Sequence, residues 1–125
     1  MKHIFLVGFI LALTALACNK DSSSSDYLDQ ADCSGIDAST NTYSLSIKTI
    51  LNNNCATSGC HNAATAAEGI DLSSYSAAKD AFERTECLCS IHHGSGCKPM
   101  PDGGGKLSDA LIQKIDCWAK NGYAQ

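Results

Sequence analysis

Cys55-Ala56-Thr57-Ser58-Gly59-Cys60-His61 is the stretch on which the reading of this chain turns. Two thiols followed at once by an imidazole is the arrangement of covalent haem attachment. Each S–H can add across one vinyl group of the porphyrin, and the adjoining ring is then aimed at the iron from one face. His61 is the expected proximal ligand. The common form of the motif has two residues between the cysteines, and this one has four. The vinyl groups are a fixed distance apart, so the longer spacer must bulge outward; Ala56, Thr57, Ser58 and Gly59 are small enough to do so. The competing reading is a Cys55–Cys60 disulfide with His61 on the surface, which an exported protein can form.

A second iron ligand is expected downstream, at Met100 in Lys98-Pro99-Met100-Pro101. The flanking prolines fix their own backbone angles and bias their predecessors toward extended conformations, so the thioether is presented with little entropy left to lose. A methionine opposite a histidine gives a comparatively high potential. His92 and His93 are the competing ligands and would give a bis-histidine site of lower potential; a methionine that merely fills a core gap is the structural alternative.

Working outward, the pattern is helical. Ile47, Ile50 and Leu51 fall at i, i+3, i+4 and predict a short amphipathic helix from Tyr43 that ends near Asn52-Asn53-Asn54. Ser73-Ser74 can cap a second helix, Tyr75–Arg84. Ser108 begins a third, in which Leu111, Ile112, Ile115, Trp118 and Ala119 recur at helical spacing and Gly122 is the stop. This helix is expected to pack on the first, with Trp118 as packing rather than an electron relay. Between the second and third, residues 85–106 read as one long irregular stretch, the kind that is usually functional in a small domain. The fold class expected is all-α: about three helices and long loops around one haem, stapled by disulfides.

The ordered pieces resemble the class I cytochrome c fold, and more closely the single-haem modules of exported bacterial proteins, including planctomycete-type cytochrome c domains. The resemblance spans residues 46–122 and is carried by Ile47-Lys48-Thr49-Ile50-Leu51 leading into CATSGCH, then Gly69-Ile70-Asp71-Leu72. Met100-Pro101-Asp102-Gly103-Gly104 before Leu107-Ser108, and Ile115-Asp116-Cys117-Trp118-Ala119-Lys120-Asn121-Gly122, complete it. It implies a helical wrap around one covalent haem c, Cys55 and Cys60 as thioether sites, His61 and Met100 as axial ligands, and electron transfer rather than enzymatic turnover. The four-residue spacer and the cysteine-rich insertion depart from the family pattern.

The amino terminus places the domain. Met1-Lys2-His3, an apolar run over 4–13 and Ala15-Leu16-Ala17 before Cys18 read as a signal peptide of residues 1–17, too short to span a membrane comfortably. A cysteine directly after the cut resembles a bacterial lipobox, with Ala15 where Leu is preferred. Lipidation of Cys18 by two or more chains would hold the domain at a membrane, at about 0.8 kcal/mol per buried methylene. Ordinary cleavage that leaves Cys18 unmodified is the alternative. Residues 18–42 then form the lipidated terminus and a polar tether, of which 19–26 (NKDSSSSD) is the flexible part, and 43–125 the domain. The location expected is the periplasmic or cell-surface side of a bacterial membrane.

Thirteen acidic against nine basic side chains, with no basic cluster outside the signal, argue against nucleic-acid binding. The partners expected are a redox protein as donor and another as acceptor. Of eight cysteines, setting aside Cys18, Cys55 and Cys60 leaves Cys33, Cys87, Cys89, Cys97 and Cys117, an odd set in an oxidising compartment. The pairing expected is Cys33 with Cys117, and Cys97 with either Cys87 or Cys89. Cys87, Cys89, His92, His93 and Cys97 can also be read as a zinc or copper site. The alternative function is accordingly a haem-free, disulfide-stapled surface lipoprotein with a binding, structural or metal-binding role.

Overall fold

A computed structural model describes residues 24–125. The signal segment, Cys18 and the first part of the tether lie outside the described residues. Among the described residues the fold is all-helical. Five α-helices follow one another: α1 (Ser24–Gln30), α2 (Lys48–Asn54), α3 (Tyr75–Arg84), α4 (Cys87–His92) and α5 (Asp109–Lys120). A wide turn of π-helix, Tyr43–Ile47, runs straight into α2, and a single 3-10 turn, Ala67–Gly69, precedes α3.

The helix boundaries follow local chemistry. Thr42 caps the π turn through its side chain, which accepts from the Leu45 N–H at 3.4 Å, and Ser74 does the same for Ala77 at the start of α3. Ser108 stands in extended backbone at the start of α5, but its hydroxyl makes no capping bond; the expected cap is positional only. The end of α5 is a Schellman closure. Gly122 adopts φ 82°, its N–H donates to the Ala119 carbonyl, and the Tyr123 N–H reaches back to Trp118. The Tyr123 ring then meets the Trp118 indole edge-on at 5.0 Å.

That indole is the centre of the core. Trp118 has no exposed surface; Phe82 meets it edge-on at 5.9 Å and Tyr43 packs on it at 6.1 Å. Its Nε1–H donates to the Ala124 carbonyl at 2.8 Å, which also accepts from the Tyr43 N–H. So α5 packs on the first helical segment, with Ile47, Leu51 and Ile115 buried completely around it.

Two stretches differ from the sequence expectation. Residues 24–42 are no free tether. Gln113 Nε2 donates to the Asp32 carbonyl at 2.7 Å, Lys120 Nζ to Ala31 at 2.9 Å and Asn41 Nδ2 to Lys114 at 2.9 Å. Tyr27 of α1 stacks on His92 at 4.5 Å. These tertiary contacts hold a segment whose composition alone favours solvation. The packed domain therefore begins well before residue 43. Within 85–106 the chain is also not irregular throughout, since Leu88 and Ile91 bury one face of α4 in the core.

Two disulfides join Cys33 to Cys117, with Cα atoms 5.6 Å apart, and Cys89 to Cys97, with Cα atoms 6.0 Å apart. Cys55, Cys60 and Cys87 are unpaired.

Candidate functional site

The motif 55–61 closes on itself where α2 ends. The Cys55 N–H still donates to Leu51 at 2.8 Å, and the Cys55 carbonyl accepts from the His61 N–H at 3.1 Å. This bond and that from the Cys60 N–H to the Thr57 carbonyl at 3.0 Å fold the four-residue spacer into a loop, helped by Gly59 at φ 81°. Thr57, Ser58 and Gly59 are exposed while His61 is buried. The spacer bulges toward solvent and the imidazole turns inward.

The ring is held in one tautomer. His61 Nδ1 lies 3.1 Å from the Ile70 carbonyl. A carbonyl only accepts, so Nδ1 carries the proton and, in the neutral ring, Nε2 keeps its lone pair free. A ligating histidine is usually oriented this way, by a backbone acceptor on its other nitrogen. The 3-10 turn delivers that acceptor, and the Leu72 N–H donates back to His61 at 2.8 Å to fix the distance between the two strands of the loop. Ala66 (φ 41°) and Glu68 (φ 56°) take left-handed backbone in this same loop, a strained conformation that persists where the surroundings enforce it.

Cys55, Cys60, His61 and Met100 all line one cavity of about 570 Å³, within the roughly 300–1,000 Å³ of cofactor and ligand sites. Its wall is mostly apolar, with Ile70, Leu72, Phe82, Ile91 and Leu107 among the contributors. Glu68, Glu86 and Asp102 stand exposed at its rim beside Lys98, whose Nζ pairs with Asp102 at 2.8 Å. The pairing holds Asp102 below its usual range and raises Lys98.

Cys87 is the lining residue that sequence reasoning did not place there. It stands in the cavity wall with its sulfur 3.0 Å from Thr85 Oγ1. Burial pushes its thiol up. Cys55 is pushed up to about 11, chiefly by burial and then by the neighbouring Cys87 and Cys60. Helix geometry explains the placement. Residues two apart on a helix point roughly 200° from one another, so once Cys89 faces the 93–97 turn and pairs with Cys97, Cys87 must face the other way.

The two histidines named as competing ligands are not among the cavity's lining residues. His92 Nε2 sits 3.0 and 2.9 Å from the two carboxylate oxygens of buried Asp116, beside a separate and smaller cleft. His93 Nε2 donates to the Met100 carbonyl at 3.0 Å. Nor do Cys87, Cys89, His92, His93 and Cys97 assemble as a zinc or copper site: the Cys89–Cys97 bridge takes two donors and the imidazoles are engaged elsewhere. Among the described residues no three His, Cys, Asp or Glu side chains gather around a common point.

Comparison of the chain with family models, with curated proteins and with solved structures finds no match in any of the three. The functional reading therefore rests on the cavity.

The residues present fit a covalently held haem. Three unpaired thiols, a tautomerically fixed imidazole and a thioether share one apolar cavity; Cys55 and Cys60 stand in the motif beside His61, Cys87 is a third thiol in the wall, and the four cysteines of the disulfides are consumed away from it.

Proposed function

We propose that this chain is the polypeptide of an exported, membrane-anchored c-type cytochrome that passes single electrons and is not an enzyme. The observation that carries the reading is the convergence of Cys55, Cys60, His61 and Met100 on one cavity. On this reading Cys55 and Cys60 would hold the porphyrin through thioethers, the S–H of each adding across a vinyl group with no oxidant consumed, while His61 would offer Nε2 and Met100 its thioether sulfur to the iron.

When bound, haem supplies a one-electron iron couple, whose potential is set by the axial pair and its surroundings. The chain's own contribution is to select and shield. A soft, neutral thioether favours the ferrous state. Phe82, Leu72, Ile91 and Leu107 give the cavity apolar walls, which would disfavour the additional positive charge of the ferric state. The acidic rim suits a donor or acceptor with a basic surface. Lipidation of Cys18 would hold the domain beside those partners at the membrane.

The test is intact mass and visible absorption on wild-type and Met100→Ala protein, exported by a host with haem-attachment machinery. The reading expects a mass gain of one haem, a c-type reduced spectrum, and loss of low-spin character in the variant. A correctly exported chain without covalent haem removes the cytochrome reading and leaves the disulfide-stapled lipoprotein. Haem with an unchanged variant spectrum takes Met100 out of the ligand set.

A further inference from the structure

We propose that His93 is a positioning residue that holds Met100 at the cavity, an inference that rests on the cytochrome reading of that cavity. The sequence offers His93 as a rival ligand, but its ring is outside the cavity lining and spends its Nε2–H on the Met100 carbonyl, 3.0 Å away. The Met100 N–H in turn donates to the Ser90 carbonyl at 3.0 Å. Both backbone groups of Met100 are therefore tied to the end of α4, one to the Ser90 carbonyl within it and one to the imidazole of His93 just after it.

Pro99 and Pro101 have no N–H, so Met100 supplies the only backbone donor in the three-residue strap. The Cys89–Cys97 bridge closes the intervening turn from the other side. A neutral thioether holds iron weakly enough that the strap must keep it in place.

The backbone at His93 points the same way. It follows α4 in left-handed conformation, φ 55° and ψ 40°, where glycine or asparagine is the usual residue. The conformation turns the chain out of α4 so that the imidazole reaches the Met100 carbonyl.

The same conformation makes a clean test. His93→Gly suits the left-handed backbone and deletes the donor together with the rest of the ring, and retention of the fold is checked by far-ultraviolet circular dichroism. His93→Gln restores an amide N–H at the reach of Nε2. With haem-loaded protein, exogenous imidazole is titrated against ferric wild type and both variants, alongside the methyl resonance of bound methionine in the ferrous state. The expected result is imidazole binding about five- to tenfold tighter in His93→Gly, the equivalent of one lost hydrogen bond, and near wild-type behaviour in His93→Gln. Equal imidazole affinity in wild type and His93→Gly overturns the inference while leaving the cytochrome reading intact. A His93→Gln variant as loose as His93→Gly assigns the effect to ring packing and also overturns it. A wild-type chain without covalent haem removes both readings.

Discussion

Removing the Cys33–Cys117 bridge should be the most destabilising single cross-link change in this domain. The two cysteines are 84 positions apart, and releasing a loop of that length returns about 4.6 kcal/mol of conformational entropy to the unfolded chain by the loop-closure relation. The Cys89–Cys97 bridge spans only 8 positions, for which the same relation gives about 2.6 kcal/mol. Measured effects typically run about 2 to 4 kcal/mol, against a total of about 5 to 15 kcal/mol for a small domain. Cys117 is fully buried in α5, so alanine at both positions avoids stranding a hydroxyl in the core. Urea unfolding followed by far-ultraviolet circular dichroism should show the paired Cys33→Ala and Cys117→Ala variant losing more than the paired Cys89→Ala and Cys97→Ala variant. Its midpoint temperature should fall by on the order of 10–25 °C. The reasoning fails if the long-loop variant loses less than about 1 kcal/mol, or if the short-loop variant loses more.

Trp118→Ala should cost about 3–5 kcal/mol in the same assay, because the indole is fully buried among Phe82, Tyr43 and Tyr123; a loss below about 1 kcal/mol would show that this cluster is not the core. Thiol alkylation mapped by peptide mass should modify exposed Cys60 before Cys55 and Cys87 in folded, haem-free protein, since Cys55, pushed up to about 11, holds little thiolate at neutral pH. Covalent haem should leave Cys87 as the one alkylatable thiol of these three, and continued labelling of Cys55 or Cys60 would contradict thioether formation. Burial pushes the Asp116 carboxyl above its ordinary value of 3.8, outweighing the opposing pull of His92. A group raised on folding adds stability that is complete below the unfolded value and is lost as pH rises through the folded one. Relative to Asp116→Asn, wild type should therefore lose stability as pH climbs from about 3.8 upward; a pH-independent difference in urea midpoints would refute this.

Much of the site was legible because it is local. The order Cys55, Cys60, His61 is written in seven consecutive residues, and the prolines around Met100 restrict the strap wherever it lies. The His61 partner was not legible, because a main-chain carbonyl carries no side-chain signature; only the fold brings Ile70 to Nδ1. The His93 contact was hidden for the same reason, its acceptor being the Met100 backbone.

The fold divides along the same line. Helices α3 and α5 carry an apolar stripe at 3.6-residue spacing, so their faces and nearly their ends follow from sequence. Helix α1 (SSDYLDQ) buries no residue fully and is stabilised through Tyr27 on His92 and the nearby bridge to Cys117, contacts that exist only after the chain has folded. Helix α4, six residues long and followed by glycines and prolines, is too short for periodicity to declare it. With Cys18, Cys55 and Cys60 set aside, one of the remaining five thiols was expected to be left over and Cys33 to pair with Cys117; the second expectation agrees with the structure. Whether Cys87 or Cys89 joined Cys97 was decided by α4 itself, because two residues on opposite sides of one helix cannot both face the same turn. Sequence alone thus determined the order Cys55, Cys60, His61 and the helical class, both set by neighbours along the chain. The tertiary structure decided what those groups face, since the cavity, the tautomer of His61 and the fate of Cys87 depend on which distant segments meet.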